Sequence, residues 1–429
     1  MKKLIYASAL LVSLLTACSP SAQKGHEGQI DVLPAFENLT ELKVSQLGKS
    51  IRYVPLETTD SSLIGATYSI QLLKDGILVS YGGRNEAHCY LFDRETGKFI
   101  REIGHKGEDP KGYSGPKAYV HPVTGHLYFQ RNPNKLMKYN QNGEFLGEVV
   151  IPNSISTGFY PSFNKEGMLV YEEEGMFVYE GLSFNTSQKQ LYYLDEVKGK
   201  TGDITLPIVP NDEQSNALNP NEIQGISVWS GGLGKYGLLS YSGIIAISLK
   251  GGTEARYPAN YPAIWQMEDG LRFYEAFSDT IYHVKGQALE PYLAFNLGDR
   301  RHPEEERGKK DGNEDKLTMT YVLETEGLIY FQCAKNLYGD LQVYNGLYRK
   351  ADQTVVMNKV QEAFADDLTH FLPFAPMTHT PKGEFAGALS IEQIQAWQEE
   401  HPDAKLEGAL APLKDLDFDA NPVVVIVEP

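Results

Sequence analysis

From residue 51 onward the chain alternates short runs of Tyr, Phe, Val, Ile and Leu with breaks bearing Gly, Asn and Asp, the pattern of short strands separated by turns. The runs recur as glycine followed by apolar or aromatic residues: Gly76-Ile-Leu-Val, Gly125-His-Leu-Tyr-Phe, Gly167-Met-Leu-Val-Tyr, Gly237-Leu-Leu or Gly243-Ile-Ile-Ala-Ile, Gly270-Leu-Arg-Phe-Tyr and Gly327-Leu-Ile-Tyr-Phe, six in all. Gly76, Gly125 and Gly167 stand 49 and 42 residues apart, inside the spacing of four-stranded propeller blades. Each of the first two is followed by a hairpin of one design, Tyr90-Leu-Phe-Asp-Arg-Glu-Thr-Gly97-Lys-Phe-Ile and Met137-Lys-Tyr-Asn-Gln-Asn-Gly143-Glu-Phe-Leu. In both, a polar turn reaches a Gly able to take positive φ, and an aromatic-apolar strand follows. Later copies are weaker, with insertions near 172 to 222 and, densely charged, from Arg300 to Lys316.

A strand with one apolar face cannot bury it alone, so successive units must stack. Arranged radially they close into a propeller with short, protected edges, and residues 32–429 are expected to form one all-β domain of six four-stranded blades. A two-sheet sandwich, or two separate β domains, is the alternative. The run Asn421-Pro422-Val-Val-Val-Ile-Val-Glu-Pro429 reads as a strand buried on both faces, which needs a neighbour. Ile51-Arg-Tyr-Val-Pro-Leu-Glu57 supplies one, with Pro55 pointing to a blade edge, so both ends are expected in the same or adjacent blades. The one helix with full signals lies just before: Ser390 as N-cap, Gln393 in the capping-box position, and Ile391, Ile394 and Trp397 at helical spacing predict residues 391–400.

The start of the chain reads differently. Lys2 and Lys3 precede the apolar run Leu4 to Leu15, too short to span a bilayer as a stable helix, and the exit Leu15-Thr16-Ala17-Cys18 resembles the lipobox of bacterial lipoproteins. That resemblance implies removal of residues 1–17 and acylation of Cys18, so a membrane is the expected first partner. Ser19 after the cysteine resembles lipoproteins sorted to the outer membrane, its face undecided. Residues 18–31 are expected to act as a lipidated, flexible tether, being polar with few side chains to drive burial. A formal charge of -17 argues against nucleic acid or an anionic surface as partner. Cys89 and Cys333 each sit in apolar stretches, and either two buried free thiols or one disulfide fits them.

Four segments together resemble a family, the six-bladed β-propeller lipoproteins of gut-type Gram-negative anaerobes. They are Ile51-Arg-Tyr-Val-Pro-Leu-Glu-Thr-Thr-Asp60 with Leu63-Ile-Gly65, Leu91 through Gly104, Phe277-Ser-Asp-Thr-Ile-Tyr-His-Val284 with Pro291-Tyr-Leu-Ala-Phe, and Asp419 through Val427. The resemblance implies the propeller fold and an envelope location and carries no reaction with it. Where the family has a Gly-Gly-Pro-Gly-Glu-Tyr-like turn, this chain has Gly107-Glu-Asp-Pro-Lys-Gly-Tyr113, so a local difference is expected there.

Chemical motifs mostly fail. There is no His-Glu-x-x-His, Cys-x-x-Cys or Gly-x-Ser-x-Gly, and Gly48-Lys-Ser50 has Lys43 where a phosphate-binding loop needs glycine. Asp311-Gly-Asn-Glu-Asp315 opens like a calcium loop, but Lys316 replaces the turn glycine and Val322 the bidentate Glu, so it reads as a solvated loop. His121, His126 and His88 lack the further ligands a metal site needs, and no metal or cofactor is expected. Ser162-Phe-Asn-Lys-Glu-Gly167 lacks the Asp and Trp of sialidase turns. The best binding signal is the Pro-punctuated stretch Arg256 to Trp265, in which Tyr257, Tyr261 and Trp265 could offer flat faces to a sugar or peptide, unless Trp265 begins a strand and packs between blades. The expectation is a non-enzymatic binding or scaffolding module for a glycan, peptide or another envelope protein. An envelope polysaccharide hydrolase or lyase using carboxylates or His in the propeller funnel is the alternative, and a sensor that moves its loops is a third reading.

Overall fold

The computed structural model describes residues 28–429 apart from 66–67, 83–85, 153–157, 165–166, 174–188, 207–221, 229–233, 239–242, 253, 259–263, 276 and 307–310. The described chain begins with β1 (Gln29–Asp31), the short helix α1 (Leu33–Glu37) and β2 (Ser50–Pro55). Blade one follows with β3 (Tyr68–Leu72), β4 (Gly76–Gly82), β5 (Ala87–Asp93) and β6 (Phe99–Glu102), and blade two with β7 (Ala118–Val120), β8 (Leu127–Arg131), β9 (Lys135–Tyr139) and β10 (Phe145–Val150). Blade three comprises β11 (Gly158–Asn164), β12 (Gly167–Glu173), β13 (Lys189–Asp195) and β14 (Gly199–Ile204). A separate three-stranded sheet, β15 (Ile223–Val228), β16 (Ile244–Leu249) and β17 (Glu254–Pro258), comes next. Blade four is β18 (Ile264–Met267), β19 (Gly270–Tyr274), β20 (Thr280–Lys285) and β21 (Ala288–Asn296), and blade five is β22 (Leu317–Glu324), β23 (Leu328–Lys335), β24 (Gln342–Arg349) and β25 (Thr354–Lys359). Blade six comprises β26 (Thr378–His379), β27 (Phe385–Leu389) and β28 (Val423–Glu428), with helix α2 (Ile391–Glu400) between the last two, and takes β2 as its outermost strand.

Six apolar clusters, one at each junction, close these blades into a ring. Leu78 and Leu91 of blade one meet Phe129 and Met137 of blade two, and Leu136 and Tyr128 of blade two meet Met168 and Tyr192 of blade three. Leu169 and Leu191 of blade three pack on Leu271 and Phe273 of blade four, which in turn presents Met267 and Ile281 to Met319 and Phe331 of blade five. Blade three therefore abuts blade four directly, and the β15–β17 sheet lies outside the ring. Each buried aliphatic or aromatic side chain contributes about 2 kcal/mol, so the junctions supply the main cohesion of a fold whose blades cannot stand alone.

Ring closure joins the two chain ends. β2 pairs antiparallel with β28 from Ser50 opposite Glu428 to Pro55 opposite Val423, and Pro55 sits on the sheet edge, where a missing N–H breaks no ladder bond. In β28, Val423, Val425 and Val427 face blade five's side while Val424 and Ile426 face blade one, so the β-branched run is buried on both faces as its sequence required.

Two expectations are corrected. The fourth glycine-apolar repeat, Gly243 to Ile247, runs into β16 of the inserted sheet, and the sixth ring blade is the composite one, whose second strand follows Gly383. The tether assigned to 18–31 is shorter at its C-terminal end, because β1 adds to blade four as a fifth strand, parallel to β21, with Ile30 fully buried. In the charged stretch from Arg300, Asp311, Gly312, Glu314 and Asp315 are exposed as a solvated loop requires, while His302 and Asn313 are buried and Arg301 binds Asp279 and the Phe277 carbonyl. The departing turn at Gly107 closes by other means. Tyr113 donates its N–H to His105 and stacks on Phe129 at 4.6 Å, while Arg131 donates to the carbonyls of Glu108, Asp109 and Gly112. Cys89 and Cys333 are buried free thiols in blades one and five, the first pushed up to about 12 by burial.

Candidate binding face

Antiparallel blades give the ring two unlike faces. One carries the turns between first and second and between third and fourth strands, the hairpin face. The other carries the crossovers between blades and the loops between second and third strands, the crossover face. Long excursions of this chain lie on the crossover side: the β15–β17 insert, the segment 360–377, and the α2 connection from 390 to 422.

The insert is fastened across to blades five and six. Gly243 lies so close to the carbonyl of Thr320, on the innermost strand of blade five, that a side chain there would overlap it, and its positive φ of 63° also suits glycine. Leu238 and Ile244 join the cluster of Tyr321, Tyr330 and Phe364. Arg256 donates to the Gly339 carbonyl at 2.6 Å, Gln393 of α2 to the Gly237 carbonyl at 3.0 Å, and Lys235 and Tyr236 reach Glu400 at 2.6 and 2.7 Å. Those two partners hold the Glu400 carboxyl below its ordinary value.

Helix α2 forms as its caps dictate. Ser390 accepts from the Gln393 N–H at 3.3 Å while the Gln393 side chain accepts from the Ser390 N–H at 2.9 Å, and Ile391, Ile394 and Trp397 are buried. Trp397 sits between Phe371 and His401, at 4.5 and 4.4 Å. Beneath it Asp366 organises a turn, accepting from the N–H groups of Leu368, Thr369 and Phe371 and from the Tyr53 hydroxyl at 3.1 Å. Burial, then the neighbouring Asp366 charge, raises the Tyr53 phenol.

The segment leaving α2 returns to β28 through Asn421, whose amide donates to the carbonyls of Glu57 and Ser62 at 2.8 and 2.7 Å and accepts from the Ile64 N–H at 3.0 Å. This clamp draws two crossover-side loops together. Leu63 on one is 51% exposed and Phe418 on the other 70%, each within three residues in sequence of a clamp partner. Phe418 is the most exposed aromatic side chain among the residues whose burial is described.

On the hairpin side the chemistry is structural. Glu324, fully buried, accepts from Trp265 Nε1 at 3.0 Å and pairs with Lys350 at 2.7 Å and Arg272 at 3.3 Å, while Arg272 lies over the Tyr292 ring and binds Asp269. Of the three sequence-selected aromatics, Trp265 is committed to this buried cluster. Trp265 is buried on β18 between blades four and five, Tyr257 lies on β17 opposite Ile245, and Tyr261 falls outside the described residues, as does Cys18. His88 pairs with Glu102 at 2.7 Å and stacks on Tyr81, and His121 stacks on Phe163. Among the described residues, no three His, Cys, Asp or Glu side chains gather as a metal site would need. Sequence reasoning passed over Phe418, Leu63 and the Glu400 contacts; the run Leu416 to Asp419 offered a lone aromatic in an acidic loop, with no periodicity to mark it.

Residues 27–428 match the family described as a domain of unknown function, DUF4934. Among solved structures, a Bacteroides fragilis protein named as exported shares 16% identity and a TM-score of 0.62, covering 94% of this chain and 100% of its own. A member of the DUF4221 family from Bacteroides vulgatus shares 11% identity and a TM-score of 0.40, covering 89% and 98%. No curated protein sequence matches.

Proposed function

The chain belongs to the DUF4934 family, and from that membership we propose that it is a lipid-anchored envelope module that binds a glycan, a peptide or another envelope protein without transforming it. The lipobox-like exit at Cys18 supports the anchor and the outer membrane as its site, and the exported relative in fold supports a place outside the cytoplasm. The observation that carries the binding reading is the exposure of Phe418 and of Leu63 on loops of the crossover face. Exposed aromatic surface on a preorganised loop loses little entropy on contact and suits a sugar ring or an apolar peptide side chain. The Asn421 clamp supplies the preorganisation.

A glycan-array and peptide-pool screen on residues 25–429, with a product assay on every hit, tests this. The expected result is binding without turnover, weakened at least tenfold by Phe418→Ala with thermal stability unchanged, since exposed substitutions rarely move stability by more than about 0.5 kcal/mol. Turnover of a hit, or binding indifferent to Phe418→Ala, would refute it. Separately, Cys18→Ala should move the protein from the membrane fraction to the soluble fraction.

A further inference from the structure

We propose that the crossover end of blade one, where it faces blade six, is a binding site for a neutral glycan, with Tyr81, His88 and Glu102 hydrogen-bonding the sugar hydroxyls. The inference rests on the binding reading above and names its ligand class and the polar groups that recognise it.

Strand register sets the constellation. Tyr81 on β4 lies directly opposite His88 on β5, and Tyr90, two residues further on, lies opposite Glu102 on β6. Side chains two apart on a strand share a face, so these four stand on the side where Tyr90 packs with Val424 and Ile426 of blade six. Tyr81 and His88 flank the loop between the second and third strands of blade one, on the crossover side. The Asn421 clamp reaches the same place. Asn421 accepts from the Ile64 N–H, and the next residue, Gly65, lies so near the Tyr81 ring that a Cβ there would stand 3.2 Å from Cδ2. Leu63, half exposed, comes two residues before it.

The polar groups hold one another and keep capacity to spare. His88 Nδ1 and Glu102 Oε1 are 2.7 Å apart, with 28% and 35% of their side chains exposed. With the Nδ1 proton donated to the carboxylate, Nε2 of the neutral ring is an acceptor. Neither that nitrogen nor Glu102 Oε2 has a hydrogen-bond partner among the described residues. The Tyr81 ring stacks on His88 at 5.1 Å, which fixes the imidazole from its flat side. The hydroxyls of Tyr81 and Tyr90 meet at 3.3 Å, a bond that uses one O–H and leaves the other to donate. Burial, then the Tyr81 hydrogen bond, raises the Tyr90 phenol, and the full charges that add to this are the carboxylates of Glu102 and Glu86.

This donor and acceptor set selects its ligand. An imidazole nitrogen, a carboxylate oxygen and a phenol on adjacent strands match neighbouring hydroxyls of a pyranose, each of which donates and accepts. Both carboxylates that bear on Tyr90 are negative, so a uronate or sulfate would be repelled. A cation would compete with His88 for Glu102 and leave Leu63 uncovered, whereas a pyranose brings hydroxyl edges and an apolar C–H face together. Partly exposed ion pairs add little to stability, so substitutions here report on binding and not on folding.

The test presents the full chain, held in mild detergent, to neutral hexose and N-acetylhexosamine oligosaccharides, with oligogalacturonate as the acidic probe and hexalysine as the cationic one, and measures each hit by titration calorimetry. A neutral oligosaccharide is expected to bind, and Glu102→Gln and His88→Ala should each weaken it roughly tenfold, the loss of one hydrogen bond within a charged group's reach, with the melting temperature unchanged. Preference for oligogalacturonate or hexalysine would overturn the ligand class. Neutral-glycan binding that both variants leave intact and Phe418→Ala abolishes would overturn this site while the binding reading stands. Capture of a peptide with no neutral glycan bound would do the same. Binding to no glycan and no peptide would refute both.

Discussion

Single residues decide whether a polar group in this ring is structure or site. Trp265 is the clearest instance: its spacing marked an aromatic in a Pro-punctuated stretch, yet its indole N–H is committed to Glu324, 59 positions away in sequence. Only the packing of blade four on blade five brings those residues together, so no local pattern could show it. His379, on the innermost strand of blade six, gives a prediction with a definite sign. Burial pushes its imidazole down to about 4, against the pull of a hydrogen bond to the Glu324 carbonyl. A histidine held neutral by the fold stabilises fully above its unfolded value of 6.5 and loses that contribution as pH falls through the folded value. By pH 4 the loss amounts to about 3 kcal/mol at most. Thermal unfolding followed between pH 7 and 4 should show the melting temperature falling across this window, and His379→Gln should flatten that fall. His121 and His283, also lowered by burial, contribute in the same direction, so a residual slope is expected. An unchanged slope in the variant would mean that the imidazole is not desolvated.

Elements were legible where their signals are local. The capping box at Ser390 and Gln393 marked the start of α2 and the spacing of Ile391, Ile394 and Trp397 its extent, and the β-branched tail gave β28 its two-sided burial. Ser390→Ala removes the acceptor for the Gln393 N–H and should destabilise the protein by about 1 kcal/mol, read in urea unfolding. Because α2 carries Glu400 and Gln393, fraying of its first turn should also loosen the insert, visible as faster amide exchange at Lys235 to Leu238. The inserted sheet was legible only as strands. Gly243 to Ile247 has the same glycine-apolar signature as a true blade strand, and nothing in that signature says whether the strand stacks in the ring or rests on it. The difference lies in Gly243 meeting the Thr320 carbonyl, a contact between segments that the sequence pattern treats as equivalent. The exposed Leu63 and Phe418 escaped for a related reason, since exposure in a loop is a property of the assembled face.

At the scale of the molecule, the six-fold count and the joining of the ends follow from one constraint: every blade must find a partner on both sides. The sequence supplied five recurring ring strands plus one that belongs to the insert, and the sixth blade is recovered by pairing β2 with β28. Closure of this kind ties residues nearly the whole chain apart, as in the contacts of Asn421 with Thr58 and Glu57 and of Arg52 with Glu428. It also hides an edge, because without β2 the strand β28, buried along Val423 to Val427, would expose an unpaired backbone. Deleting residues 28–56 should therefore do more than remove one strand's contacts. Ile51, Tyr53 and Val54 would leave both flanking clusters, and the open β28 edge would recruit a second chain. The expected outcome is a protein that elutes as dimers or larger species and unfolds in urea over a broader transition with a smaller m-value than the intact chain. Restoring only the β2 segment at the other end, with residues 49–56 linked after Pro429, should recover a monomer and the sharp transition, since Ser50 lies opposite Glu428 and a short linker from Pro429 spans the gap. A deletion that stayed monomeric and unfolded as sharply as the parent would mean that the blades cohere without closure, and the ring would then be an arrangement rather than the source of stability.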